Sequence, residues 1–506
     1  MQDWWIITGI TVVYLTVILI VGLKARNEQS SSLEGYVAGD RSLGVFILFF
    51  IMGAEVFSAF AFLGGPGWTY GKGAPGLYIL AYLGLGLLPW WVLGPKAARL
   101  GRKYGYLTQA DLLSDRFTSK WLSAIIAIVS VGAFIPYLTI QITGAGILFE
   151  ASTEGNVPFW LGALAAFLIV TIYVYASGLR GIGWTNVIQG TIMVFVAWLI
   201  GLAVANRFYG GVGSMFREIQ AEAPEYLTLP GVDGLGWAAF SSAIIVSSIG
   251  LTMWPHLFMK SYGAESEKTI KKTIVIYPLY GYLLVPVFII GFAGILVLQD
   301  NPLDNPDNVL PELVVNLADF SPWLIGIMLS GALAAAMSTG ANLAHSASTV
   351  LVRDLFVAVF KQDMPDRSVV LLTRVFVVVI SVFAYLLSLG QFASLVQLLL
   401  GAYGAVVQFF PLIVAAFFWK RATTAGAYAG LISGSLVTIL FTFVVTPTPF
   451  GIHAGIWGLL ANTVFLVGFS LLTKPMPREH VERFVEGSRT PLEETRDPKP
   501  EGASTA

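Results

Sequence analysis

Apolar residues run along this chain in blocks of about twenty, with no polar face recurring at each helical turn. A helix apolar all round is buried in protein or lipid, and about twenty such residues span a bilayer. The first block ends at Lys24. Others follow at 44–66, 76–95, 120–149, 157–178, 185–206, 236–259, 273–298, 322–351, 368–389, 393–418, 424–446 and 454–473. The pattern predicts an all-α polytopic membrane protein with thirteen transmembrane helices. Trp4 and Trp5 edge the first block and no basic segment precedes it, so we read a retained helix with an interfacial Trp pair rather than a cleaved signal peptide.

Composition agrees, since 56% of the 506 residues are hydrophobic and 12% charged. Assigned to alternate sides of thirteen crossings, the 29 Lys and Arg residues divide 26 to 3. The richer side carries Lys24, Lys96–Lys120, Lys260–Lys272, Arg353–Arg374 and the tail from Lys474. Positive residues concentrate in cytoplasmic segments, so the expected site is the cytoplasmic (inner) membrane, with the N-terminus outside and the C-terminus cytoplasmic. A net charge of −1 provides no basic stripe for nucleic acid. With no cysteine there is no disulfide, thiol nucleophile or Cys-ligated metal, and the four histidines are widely scattered.

The blocks divide into a first helix and loop (1–43), a five-span half (44–206), an outer loop (207–235), a second five-span half (236–418), two additional helices (419–473) and a tail (474–506). Pro311–Asp319 has the composition of a short surface helix. The charged, Pro-rich tail reads as mostly disordered, with a helical turn or two at Arg478–Val485. Each half opens on its most interrupted span. Phe50–Gly67 carries Gly53 and Glu55 and ends Gly64-Gly65-Pro66-Gly67; Ser247–His256 carries Gly250 and Pro255. Paired broken helices at corresponding positions point to a midplane binding site, because lipid cannot satisfy the freed backbone groups. Gly53 alone is equally explained by close helix packing.

Ser338, Asn342, His345 and Thr349 share one face of the 322–351 helix. Such a stripe serves either interhelical hydrogen bonding or an oxygen-ligand site for a hard cation. Glu55, an acid at membrane depth, is either a titrating functional group or a structural acid, with His345 as a possible partner. The broken helices offer Ser58, Ala61, Ser247, Thr252 and Trp254 to a solute. Gln141, beside the helix-breaking Pro136, either joins them or bonds a neighbour. No arginine lies mid-span to clamp an anion.

Ser58–Gly67 with Tyr70–Gly73, Gly178–Gly181 with Trp184–Gln189, Trp254–Ala264, and Ala334–Thr339 with Arg353–Phe356 resemble, in order and spacing, the sodium:solute symporter family. The resemblance covers essentially residues 5–473. It implies a LeuT-type 5+5 inverted-repeat core with one extra helix before and two after. It also implies co-transported Na⁺ held by the carbonyls of Ala54, Phe57 and Ala335 and the hydroxyls of Ser338 and Thr339. Many relatives carry an aspartate for ion release where this chain has Asn186, and small or uncharged residues where it has Glu55. Gly64–Pro75 and Ile135–Gln141 look nearest the monocarboxylate branch, with pantothenate the nearest competitor. The expected partners are Na⁺, a small organic solute and the bilayer. Proline or other solute symport, H⁺ coupling through Glu55 and a membrane sensor with a separate partner stay open; no nucleophile–base constellation supports an enzyme.

Overall fold

The computed structural model describes residues 4–26, 32–232, 236–361, 363–390, 395–445 and 448–489. Among these the chain is helical, and the one extended pairing is a bridge between Leu43 and Ala264. The first part contains α1 (Trp4–Lys24), α2 (Leu33–Ala38), α3 (Val45–Val56), α4 (Gly65–Lys72), α5 (Tyr78–Gly86), α6 (Trp90–Tyr104), α7 (Gln109–Arg116), α8 (Lys120–Ser152) and α9 (Phe159–Tyr209). The segment 207–235 then folds α10 (Val212–Glu222), while its residues 233–235 lie outside the description. The second part contains α11 (Gly236–Met253), α12 (Pro255–Gly263), α13 (Glu267–Tyr282), α14 (Val285–Val297), α15 (Val309–Pro311, continued as a wide turn to Leu317), α16 (Pro322–Val350), α17 (Ala358–Phe360), α18 (Asp366–Ser388), α19 (Leu395–Val406) and α20 (Phe409–Phe418). Two antiparallel helices, α21 (Thr424–Phe443) and α22 (Ala454–Leu472), precede α23 (Arg478–Val485).

Among the described residues, ten helical stretches are long and apolar enough to cross a membrane, or up to twelve if each of two sharply bent pairs is one span. The 51-residue α9 is about 77 Å long at 1.5 Å per residue, more than twice the hydrocarbon thickness. It turns at Gly178 (φ 57°, ψ −147°), the last residue of the predicted block 157–178. A Cβ at Gly178 would lie 2.6 Å from the Tyr36 carbonyl oxygen, so this turn requires glycine for space as well as for φ.

Both anticipated breaks are present. The α3 helix stops at Phe57 (φ −77°, ψ 69°) and the chain resumes 50° away through a wide turn at Phe60–Gly64. Trp254 (φ −59°, ψ 127°) separates α11 from α12, whose first residue, Pro255, has no N–H to contribute to a continuing helix. A third bend, also 50°, separates α5 from α6 at Leu87–Pro89 inside an apparently continuous apolar block. At Gly53 a Cβ would lie 2.4 Å from the Tyr280 ring, so its absence brings α3 and α13 together.

Every residue of α16 from Met328 to Val350 is buried, which makes it the central helix. By contrast α1, α9, α21 and α22 present bulky apolar side chains outward, Val13, Phe195, Phe443 and Leu472 among them. The tail forms the anticipated helix at Arg478–Val485 but, instead of being disordered around it, packs against the bundle. Val481, Phe484 and Val485 form an apolar face at helical spacing and are buried, while Arg483 bonds Asp115 at 2.5 Å and Arg99 bonds both Glu267 and the Ser488 carbonyl. Residues up to Arg489 therefore pack, and 490–506 lie outside the description.

Candidate ion and solute site

At the α3 break the backbone loses its helical partners, and α16 replaces some of them. The Ser338 hydroxyl lies 3.1 Å from the Ala54 carbonyl oxygen and 3.1 Å from that of Ala335. Next to it, the Thr339 hydroxyl donates to the Glu55 carbonyl at 2.8 Å. Three carbonyls and two hydroxyls therefore meet in a fully buried place where two helices face each other. Oxygen dipoles without a net charge suit a small hard cation. The Glu55 carbonyl joins this group although the sequence did not single it out, and Phe57 stands at the break itself with its ring 5.0 Å from Tyr280.

Gln141, on α8, attends to the far side of the break. Its amide oxygen accepts the Ala59 N–H at 2.9 Å, and its Nε2 donates to the Tyr137 carbonyl at 3.1 Å. The side chain is thus a cap supplied from another helix. Gln141→Leu leaves a buried N–H unsatisfied and is expected to destabilise the protein by about 1–3 kcal/mol. A melting temperature unchanged from wild type in detergent would contradict that role.

A narrow cavity lies between the two broken helices. Tyr82, Tyr137, Trp254, Tyr277 and Tyr403 supply its aromatic walls, and Glu55 and His256 bring a carboxyl group and an imidazole to its lining. Of the six residues proposed for solute, Trp254 lines this cavity. Ser58, Ala61, Ser247 and Thr252 are buried nearby in sequence to the breaks but do not line it. Thr252 bonds its own helix at the Ile249 carbonyl, and the Ser58 carbonyl restarts the helix by accepting from Ala61 and Phe62.

Glu55 is not partnered by His345. The His345 Nε2 meets the Tyr36 carbonyl at 2.9 Å and its ring packs on Tyr36, which ties α16 to α2. Glu55 instead receives the Nε2–H of His256 on one oxygen and the Lys260 ammonium on the other. Lys260 also reaches the Ile51 carbonyl at 3.5 Å. His256 and Lys260 are four residues apart on α12 and so share its inward face. Lys260, assigned by charge counting to a cytoplasmic segment, is 1% exposed and belongs to the bundle interior. Its position after an apolar block concealed this, and the i, i+4 His–Lys spacing opposite a lone intramembrane acid was the available signal. Asn186 is fully buried on α9, and neither atom of its amide has a hydrogen-bond partner.

Two broken helices, a central helix supplying hydroxyls to one break and a cavity between them define a membrane transporter rather than an enzyme. This chain belongs to the sodium:solute symporter family, whose sequence profile matches residues 36–434. It is 32% identical to the uncharacterized symporter YhjB of Bacillus subtilis (strain 168), over 90% of this chain and 95% of that one. The sodium/proline symporter of Escherichia coli (strain K12) is 29% identical, with 94% of each chain covered. The monocarboxylate transport permease protein of Rhizobium johnstonii is 24% identical over 91% of this chain and 95% of its own. In structure the chain is similar to a Na⁺-coupled sialic acid symporter in a substrate-bound outward-open state, with a TM-score of 0.79 at 18% identity, covering 94% of this chain and 99% of that one.

Proposed function

We propose that this protein is a Na⁺-coupled symporter of the cytoplasmic membrane that imports a short monocarboxylate. The observation that carries the reading is the Ser338 hydroxyl placed between the Ala54 and Ala335 carbonyls at the α3 break. In this reading the carbonyls of Ala54, Phe57 and Ala335 and the hydroxyls of Ser338 and Thr339 hold Na⁺, with the Glu55 carbonyl beside them. Bound Na⁺ replaces two hydrogen bonds with ligand bonds from both helices and so favours one relative placement of α3 and α16. A ligand shifts a conformational equilibrium only by its differential affinity for the two states, and an ion held by both helices has that property. Asn186 serves ion release as a neutral polar group. Counting α9 as two crossings gives thirteen, with the N-terminus outside, and 25 rather than 26 cationic residues on the cytoplasmic side once Lys260 is withdrawn.

For the solute, likeness to the monocarboxylate permease supports a short organic acid, as does a cavity with an imidazole at its wall. The proline-symporter relative and the carboxylate of Glu55 facing the same cavity favour a second reading, an amino-acid solute. Uptake of radiolabelled lactate into proteoliposomes, competed by unlabelled monocarboxylates, pantothenate, proline and sugars, separates them. Na⁺-dependent lactate uptake blocked by other short monocarboxylates is expected. Block by proline alone would replace the acid with the amino acid, and the absence of any Na⁺-driven uptake would contradict the symporter reading.

A further inference from the structure

A second pocket lies apart from the central cavity, at the end of the bundle where α4 and α21 finish and α5, α11, α19 and α22 begin. It holds about 930 Å³, the space at its mouth included, which is within the range of small-molecule sites. Trp68, Tyr78, Phe240, Leu400 and Phe441 give it an aromatic and apolar wall. The two cavities have no lining residue in common. They adjoin at a contact of rings, Tyr78 of the second pocket lying 5.8 Å from Tyr82 of the central one.

Among the described lining residues there is no acid, lysine or arginine. The imidazole of His453 is neutral as well, because its Nδ1 accepts the Gly455 N–H at 3.0 Å to cap α22. An ionised ligand would leave water here with no counter-charge to meet it, so the lining fits an uncharged one. It also offers that ligand a donor. The Trp68 Nε1–H is buried without a hydrogen-bond partner, and a buried donor left unmet is costly until an acceptor reaches it. Thr442, by contrast, already donates to the Thr438 carbonyl of its own helix at 2.7 Å.

The walls belong to parts of the fold with different freedom. Trp68 stands on α4, which resumes after the break at Phe57, and Phe240 on α11, which ends at the break at Trp254. Phe441 stands on α21, which is locked to α22: a Cβ at Gly426 would lie 2.0 Å from the Ser470 hydroxyl, and one at Gly430 2.7 Å from the Asn462 amide oxygen. Small residues at these positions bring the two backbones together, so the pair forms one body. In the symporter reading, the half-helices at both breaks change place against the rest of the bundle during transport. A molecule seated between them and the α21–α22 pair binds one of those placements better than the others, and so holds the protein in it.

We propose that this pocket is a regulatory site for a small uncharged molecule with an aromatic body and a carbonyl acceptor, which arrests transport by fixing both half-helices against α21 and α22. The arrest rests on the symporter reading above but not on the identity of the solute, and the binding rests on neither.

The test uses the full chain and three probes of similar shape: benzylacetone, a neutral ketone; butylbenzene, which has no acceptor; and phenylbutyrate, an anion. In detergent, benzylacetone is expected to raise the melting temperature of wild type and the other two to leave it unchanged. In proteoliposomes it is expected to inhibit Na⁺-driven uptake of the labelled solute that the competition assay identifies, and a higher solute concentration is expected not to relieve the block. Trp68→Phe keeps a ring but removes the N–H, so about tenfold more benzylacetone is expected to be needed for the same inhibition, as for the loss of one buried hydrogen bond. Ala243→Trp fills the pocket from α11 and is expected to abolish inhibition while uptake without the probe continues. Trp68→Phe decides the matter even if Ala243→Trp fails to fold. An unchanged wild-type melting temperature overturns the proposal, as does equal potency of either comparison probe or an unaltered benzylacetone response in Trp68→Phe. Relief by solute places the probe in the central cavity and overturns it too. A melting shift specific to the ketone, in a protein with no Na⁺-driven uptake of any solute, retains the binding site and removes the symporter reading together with the arrest.

Discussion

Lys260→Met is expected to destabilise the protein by about 3–5 kcal/mol, the range for removing one partner of a buried ion pair. Methionine approximates the lysine stem in volume, so most of the loss comes from a carboxylate left in the bundle with only a neutral imidazole. Lys260→Met combined with Glu55→Gln removes both charges and is expected to recover most of the stability, because a neutral buried pair needs no counter-charge. The measurement is the thermal midpoint of the three proteins in one detergent. Equal midpoints for wild type and Lys260→Met would contradict the ion pair. Failure of the double variant to recover would assign the loss to packing.

Ser338→Ala with Thr339→Ala is expected to lower Na⁺-stimulated uptake to the Na⁺-free level. The two hydroxyls contribute only about 1 kcal/mol each as interhelical hydrogen bonds, so the fold survives their removal. Binding that favours the folded state raises stability by RT ln(1 + [L]/Kd), about 2.7 kcal/mol at a hundredfold excess over Kd. The Na⁺-dependent part of the melting temperature is therefore expected to vanish in the double variant while the Na⁺-free midpoint moves little. Retained Na⁺ stimulation would remove these hydroxyls from the ion site.

Of the two broken helices, one was legible because its breaker is local, Pro255 beginning its second half; the other breaks at Phe57–Ser58, and Gly64-Gly65-Pro66-Gly67, which drew attention to that stretch, lies inside the resumed helix. Ser338 stood out because a polar stripe on an apolar helix must face protein, and α16 is indeed buried around its whole circumference near that residue. The α5–α6 bend escaped because Leu87, Leu88 and Pro89 keep the block apolar while the backbone turns. Lys260 escaped for a different reason. A lysine after an apolar run reads as a loop residue, and only its tertiary contact with Glu55 places it inside. Gln141 was recognised as a polar group near a kink, but whether it meets a solute or a backbone N–H depends on how α8 lies against Ala59. In the tail, the apolar spacing of Val481, Phe484 and Val485 was outweighed by the surrounding charge and proline.

The central claim is that Na⁺ passes with the solute through the place where α3 yields and α16 presents its hydroxyls. The most direct test follows labelled Na⁺ and labelled lactate together in proteoliposomes carrying no initial Na⁺ gradient. An inward lactate gradient is predicted to drive Na⁺ inward with wild type and to move none with Ser338→Ala/Thr339→Ala. Lactate accumulation by wild type with no accompanying Na⁺, or undiminished Na⁺ movement in the double variant, would contradict the account.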